Sequence, residues 1–307
     1  MAPGVSTELH SPVASENNRD QQTVTLYFRY GKEPLLASES RTLTVSQNEP
    51  AEKAVVQALL DGPGTGMAEL RRLFPEQVEV LNTVAQGDLL FVTFNGALLR
   101  AYSDEPGDWN SQDAWREEVP LRRRLAMQSL VASITENFSY QSVQVLVQQR
   151  GEVSTSMRLE NSYYQNNKMK NGLADPLTRD ETLLLTANNT ARVILTSWQQ
   201  KDWGRLYLYI SSRDPDTGKD RPSQDTAYTQ WDRVASIADY TISGGSVSHD
   251  GSRAVVCVDG SLARGEEEAV TFSAYPLHLS RGDGIWKITY EQLSALMRLF
   301  DNDGGAS

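Results

Sequence analysis

Residues 49–63 read Glu-Pro-Ala-Glu-Lys-Ala-Val-Val-Gln-Ala-Leu-Leu-Asp-Gly-Pro, and both ends of one short helix are marked in them. Pro50 falls in the first turn, where a missing N–H costs nothing. Ala51, Ala54, Val55, Ala58 and Leu59 recur at spacings of three and four, which places them on one apolar face. Gly62 supplies a left-handed cap and Pro63 forbids continuation. The sequence therefore predicts a helix over residues 50–61 that must bury one side.

The segments around it read as strands. Thr23–Phe28 alternates and is rich in β-formers, and Leu35–Val45 ends in a second strand, Arg-Thr-Leu-Thr-Val. A strand at Glu76–Ala85, a turn at Gln86-Gly87-Asp88 and a strand at Leu89–Phe94 make a hairpin. Residues 103–118 are an acidic loop or short helix. Pro120 then opens a longer helix, with Met127, Leu130, Val131, Ile134 and Phe138 at helical spacing. Ser142–Gln148 closes this unit with Val143, Val145 and Val147 on one face. Residues 151–177 are polar and irregular and read as an extended arm or linker.

A second unit opens with a long helix carrying Leu184, Ala187, Ala191, Ile194 and Trp198. Asp202 caps another, with Trp203, Leu206, Tyr207 and Ile210 on one face, and a third spans Thr226–Val234. Strands at Ala238–Ile242, Arg253–Leu262, Ala269–Leu279 and Gly284–Tyr290 follow, with turns at Asp250-Gly251, Arg264-Gly265 and Asp283-Gly284 and a closing helix at Gln292–Phe300. Helices followed by a run of antiparallel strands make an α+β pattern. The expected architecture is α+β in two domains, 22–177 and 178–307, preceded by a tether over 1–21.

At 307 residues the chain can bury two cores, and its net charge is −11. Both units carry more acidic than basic side chains. That argues against nucleic acid or an anionic membrane surface as the main partner, because phosphate binding needs a basic face. The one basic cluster, Arg122-Arg123-Arg124, lies on a predicted helix and reads as a solvated face. The single cysteine, Cys257, lies in a buried-looking strand and reads as a structural thiol. His10, His249 and His278 show no paired metal-ligand spacing. No phosphate cradle or dinucleotide fingerprint is visible, so no cofactor is expected.

No apolar run reaches a transmembrane length. Residues 1–21 are rich in Pro, Ser and Asn. Such tethers separate a lipid-anchored cysteine from the first folded domain of bacterial lipoproteins. The expectation is that an anchor has been removed and Met1 added; a cytosolic protein with a polar tail is the alternative.

Residues 23–150, extending toward 180, resemble the GerMN domain of sporulation and spore-germination proteins. The likeness is carried by Leu26, Tyr27 and Phe28, by Arg41, by the helix end Ala58-Leu59-Leu60-Asp61-Gly62-Pro63, by Phe74-Pro75, and by Val92, Phe94 and Asn95. The helix Leu125–Phe138 and the strand Val143–Val147 complete it. Phe74-Pro75-Glu76 lacks a glycine expected soon after that proline, and loop 103–118 is longer and more acidic than the pattern. Residues 180–302 resemble the nuclear-transport-factor-2-like cone by order of elements, with Trp198, Asp202-Trp203 and Trp286 in place. The two likenesses imply an N-terminal mixed α/β sheet domain and a cone-shaped C-terminal domain with a curved antiparallel sheet. They also imply an exported lipoprotein of a spore-forming Gram-positive bacterium.

Relatives of the cone that are enzymes use a carboxylate or histidine in an apolar pocket. Asp239 and His278 are the candidates here, and an outward polar tip on a strand is the ordinary reading of each. Asp214, Asp216 and Asp220 alternate around Gly218 and could meet at Ca²⁺, but the EF-hand spacing is not met and a solvated turn accounts for them. Asp301-Asn302-Asp303-Gly304 is a weaker version of the same pattern. Trp109 and Trp115, beside Asp104, Glu105, Asp108 and Asp113, suit a sugar- or peptide-binding patch. Two tryptophans anchoring a loop explain them as well.

The reading is a non-catalytic extracytoplasmic binding or scaffolding protein at the cell envelope, related to sporulation or germination. Its partner would be an envelope protein or polysaccharide, with no nucleic acid, and with the membrane reached only through the removed anchor. The alternative is an acid–base or small-molecule-binding pocket in the cone.

Overall fold

The computed structural model describes residues 19–46, 48–148, 155–163, 172–282 and 284–303. Most of the tether, His10, much of the polar arm, Asp283 and Gly304 lie outside the described residues.

Strand β1 (Arg19–Tyr30) pairs antiparallel with β2 (Leu36–Ser46), in a register running from Arg19↔Ser46 to Arg29↔Leu36. Val24, Leu26 and Phe28 alternate into the core, as a half-buried strand requires. Helix α1 (Ala51–Asp61) buries Val55, Val56, Ala58, Leu59 and Leu60, a wider face than the spacing alone marks. Two details differ from the expectation. Pro50 is the capping residue, with ψ 135°, and not the first helical one. Gly62 has φ 92° with ψ −175°, so the chain leaves in a positive-φ extended form that favours glycine, not in a left-handed helical turn. A short β3 (Leu70–Arg71) then pairs with the end of β1.

The hairpin of β4 (Val80–Gln86) and β5 (Leu89–Asn95) closes at Gln86↔Leu89, with Gly87 at φ 62°. Strand β4 starts later than the expected Glu76, because Gln77 adopts a positive φ and its carbonyl accepts from Asn95 Nδ2 at 2.9 Å. Strand β6 (Ser142–Gln148) runs parallel to β5, and a parallel pair needs a crossover. Helix α2 (Asp113–Asn137) supplies it.

Pro120 lies inside α2 and does not open it. A proline there removes one hydrogen bond to Arg116, whose residue is exposed, so water can satisfy the freed carbonyl. The helix also closes the second edge of β1. Tyr27 N donates to Ser133 Oγ at 3.0 Å, Ser129 Oγ donates to Tyr27 O, and Asn137 exchanges bonds of 2.9 and 2.7 Å with Thr25. Ser129, Ser133 and Asn137 recur every four residues, so one polar stripe of a helix covers an open strand edge.

The polar arm is more than a linker. Strand β7 (Ser156–Arg158) and β8 (Leu177–Thr178) both pair with β6 and extend the sheet to five strands. Their side chains are mostly exposed, which left no apolar alternation to read.

Thr186 caps α3 (Ala187–Gln199), so Leu184 precedes that helix and instead bridges to Leu36. Asp202 caps α4 (Trp203–Leu208) as expected, with Arg205 N donating to Oδ1 at 3.0 Å. Ser223 caps α5 (Gln224–Trp231). Strands β9 (Ser236–Val247), β10 (Arg253–Ala263), β11 (Val270–Gly282) and β12 (Ile285–Lys287) form one antiparallel sheet in the order β12-β11-β10-β9. Register shifts at Cys257/Val258, Ser261/Leu262 and Val258/Gly260 curl it into a half-barrel. Helices α6 (Tyr290–Met297) and α7 (Leu299–Asp303) end the described chain.

The inner face of the half-barrel, Ala254, Val256, Val258, Leu262, Leu277 and Leu279, packs in one core with Trp198, Tyr209 and Trp231. Cys257 alternates to the other face and is only half-buried, so the expected fully buried thiol is not found. The fold is α+β, with an N-terminal mixed sheet domain and a C-terminal curled antiparallel one. Leu185 N donates to Leu36 O at 2.8 Å, and the Tyr30 and Tyr209 rings meet edge-on at 5.7 Å, so the buried cores of both domains are continuous.

Candidate functional site

Three stretches of the N-terminal domain meet around an open cleft of about 860 Å³. Arg29 and Lys32 come from the end of β1 and the turn after it, Arg71 to Glu76 from β3 and the loop beyond, and Tyr102 to Arg122 from the acidic loop and the start of α2. Its size falls in the range of pockets that hold small molecules or short chain segments. Leu73, Phe74 and Pro75 are buried and give it an apolar floor.

An ordered charge network forms one wall. Arg29 is buried and makes a two-pronged pair with Glu118, while its Nε and Nη2 donate to Glu33 O and Lys32 O, both at 2.8 Å. Arg122 grips Asp104 at 2.6 and 3.1 Å and reaches Glu118 at 3.5 Å. Its guanidinium lies 4.7 Å over the Tyr102 ring and 5.8 Å over Trp115. The hydrogen bond from Arg122 holds the Asp104 carboxyl below the usual range, although Asp104 itself is largely exposed. Tyr102 is buried, which pushes its hydroxyl pKa up, and its Oη finds no hydrogen-bond partner among the described residues.

This arrangement corrects one expectation. The arginine run is not a solvated face: Arg122 pairs with Asp104, Arg123 with Glu105 at 3.0 Å, and Arg124 with Asp180 at 3.0 Å. Within the acidic loop, Asp104 and Glu105 are held by those arginines and Asp113 by Arg116 at 2.8 Å, while Asp108 accepts from Gln112 Nε2 at 2.8 Å. Trp115 lines the cleft. Trp109 does not; it lies under Arg123 at 5.7 Å, which anchors the loop. Sequence reasoning missed Lys32, Arg71 and Arg72. The only local signal for them was the pair Arg71-Arg72 just before Leu73-Phe74-Pro75.

Residues 25–151 match the model of the Germane family, described as sporulation and spore germination. Every residue lining the cleft lies within that match. The tandem GerMN domains of the sporulation protein GerM from Bacillus subtilis are 17% identical over 56% of this chain, with a TM-score of 0.33. The chain covers 49% of that structure, about half its length. The first GerMN domain of the same protein is 13% identical over 52% of this chain and 98% of its own, with a TM-score of 0.32. A putative lipoprotein from Clostridium perfringens is 17% identical over 44% of this chain and 80% of its own, with a TM-score of 0.25. At these scores the likenesses extend to no residue role. No curated protein sequence matches the chain.

The C-terminal candidates are not brought together. Asp239 is exposed on β9 and accepts from Ser261 Oγ at 2.7 Å. His278 is exposed on β11, where its backbone N–H donates to Gln292 Oε1 at 3.1 Å. Neither points into the half-barrel, which side chains fill. Clefts of about 240 and 510 Å³ open beside α5 and α6, and neither is lined by Asp239 or His278.

Asp214, Asp216 and Asp220 serve different partners. Asp214 Oδ1 accepts from the backbone of Asp216 and Thr217, both at 2.8 Å, and those bonds lower its pKa. Asp216 pairs with Arg253 at 2.7 Å, and Asp220 faces Arg213 at 4.0 Å. Among the described residues, no three His, Cys, Asp or Glu side chains form a group able to hold a metal. No described helix is long and apolar enough to cross a membrane.

Proposed function

We propose that this chain is a non-catalytic, extracytoplasmic binding module at the cell envelope, acting in sporulation or germination. The observation that carries it is the coincidence of the cleft with the Germane match: a preformed, charge-braced concave surface lies within the stretch, residues 25–151, that matches that family. Its walls are braced by Arg29–Glu118 and Arg122–Asp104 before any ligand arrives, which lowers the ordering cost of binding. The C-terminal half, read as a nuclear-transport-factor-2-like cone, props the first domain through Leu36, Tyr30 and Glu33. An enzyme in the cone is the weaker reading, because its two candidate acid–base groups face solvent.

The test is fractionation. In its own host, a tagged full-length chain should be found with the envelope and be degraded by protease added outside the cytoplasmic membrane. Recovery in the cytosol, protected from protease, would contradict the proposal.

A further inference from the structure

The cleft is positively charged in a protein whose net charge is −11. Arg29, Lys32, Arg71, Arg72 and Arg122 line it, against Glu76, Asp104 and Glu118. The wall network uses Arg29 and Arg122 to satisfy Glu118 and Asp104. What remains is Lys32, Arg71 and Arg72 against the single carboxylate of Glu76, all exposed and none in an ion pair among the described residues, so the unpaired charge of the cleft is still positive.

These cations are not loose on a convex surface. Arg71 is held by the pairing of β3 to β1, and its Nη1 donates to Ala68 O at 2.8 Å. The stem of Arg72 lies against Gly62, where a Cβ would sit 3.6 Å from it. Leu73, Phe74 and Pro75, all buried, and the half-buried Trp115 line the same cleft.

Resting on the reading of the chain as an envelope-binding module, we infer that the cleft binds a carboxylate-bearing glycan. A sugar ring offers a flat apolar C–H face to Trp115 and the floor, and hydroxyls to the polar wall. Its carboxylates take the forked donors of Arg71 and Arg72 and the point charge of Lys32. A flat anionic membrane does not fit a concave site, and a nucleic acid longer than the cleft would have to run onto a protein of net charge −11.

The experiment is calorimetric titration of the full chain with a hexamer of galacturonic acid. Its methyl-esterified form, a single-stranded oligonucleotide and vesicles of anionic lipid are run beside it. Saturable one-to-one binding to the free acid that weakens with salt is expected, with the esterified hexamer at least about 10-fold weaker. Arg71→Glu with Arg72→Glu should weaken it at least about 10-fold while the chain still melts cooperatively, and Arg71→Lys with Arg72→Lys, which keeps the charge, should bind more tightly than the Glu pair. Trp115→Ala should weaken it too. Absence of saturable binding overturns the inference. So does equal binding by the esterified hexamer or by the Glu pair, or stronger binding of oligonucleotide or vesicles. If the chain still fractionates with the envelope while the hexamer fails, the glycan assignment falls and the envelope module stands.

Discussion

Arg205 of α4 grips Glu33 of the turn after β1 with Nε 2.9 and 3.1 Å from the two carboxylate oxygens. The Glu33 side chain is 12% exposed and that of Arg205 26%, so the pair is shielded and links the two domains. Glu33→Ala should cost about 1–2 kcal/mol, more than a surface pair. A double-mutant cycle with Arg205→Ala, read by thermal melting, should show coupling between the two positions. Additive losses would mean that the contact carries no interface energy.

Gly284 approaches the N-terminal domain so closely that a Cβ on it would lie 1.8 Å from Ser38 O, and its φ is +79°. Gly87 has a similar φ of +62° but open space around it. Gly87→Ala should therefore cost about 1 kcal/mol from backbone strain alone. Gly284→Ala should cost clearly more, because Arg281, which also donates to Ser38 Oγ, must move with it. Equal shifts in melting temperature for the two variants would show that the approach to Ser38 is not maintained in solution.

Tyr27 is pushed up to about 12, chiefly by burial, with Glu136 adding to the rise and Arg179 opposing it. An unfolded tyrosine titrates near 10. The folded form thus holds its proton more tightly, and the resulting stability is full below pH 10 and is lost as the pH climbs from about 10 through about 12. The upper limit is about 2–3 kcal/mol, from roughly two pKa units. Tyr27→Phe should flatten this part of the stability–pH curve in urea titrations. An unchanged slope would place the alkaline loss on the other buried tyrosines, Tyr30, Tyr102 and Tyr209.

The Asp214–Asp220 turn is closed by its own backbone and by Arg253, so added Ca²⁺ should leave the melting midpoint where it is. A stoichiometric rise that disappears in Asp216→Ala would show that the turn reopens to take a cation.

The two domains are proposed to divide near residues 151–180. Arg179 pairs with Glu136 and Asp180 with Arg124, which ties the end of the arm to the N-terminal domain. Fragment 22–180 should fold by itself, and fragment 178–307 should melt earlier than in the full chain because it loses Tyr30 and Glu33. Dispersed NMR spectra check the first statement and melting curves the second. A collapsed spectrum for 22–180 would contradict the boundary.

What could be read in the sequence was what is local. The α1 helix, the Gln86–Leu89 hairpin and β6 each carry their own periodicity or turn residue, and the structure places them where that pattern does. Pro120 misled because its effect depends on whether Arg116 faces water. Strands β7 and β8 were invisible because edge strands with exposed side chains carry no alternation. The cleft was hidden for a different reason. Arg122 finds its acceptors at Asp104 and Glu118, Glu118 also holds Arg29, and the β1–β3 pairing sets Arg71 opposite Arg29, none of which spacing along one stretch encodes.

The most direct test of the central claim is co-sedimentation with purified cell envelopes of the host. The Arg71→Glu/Arg72→Glu chain is compared with wild type and with a charge-matched Arg192→Glu/Arg213→Glu chain altered on the other domain. Wild type and the Arg192/Arg213 control should pellet together, and the cleft variant should stay in the supernatant. Equal pelleting of all three, or loss in both variants alike, would contradict a binding role for the cleft.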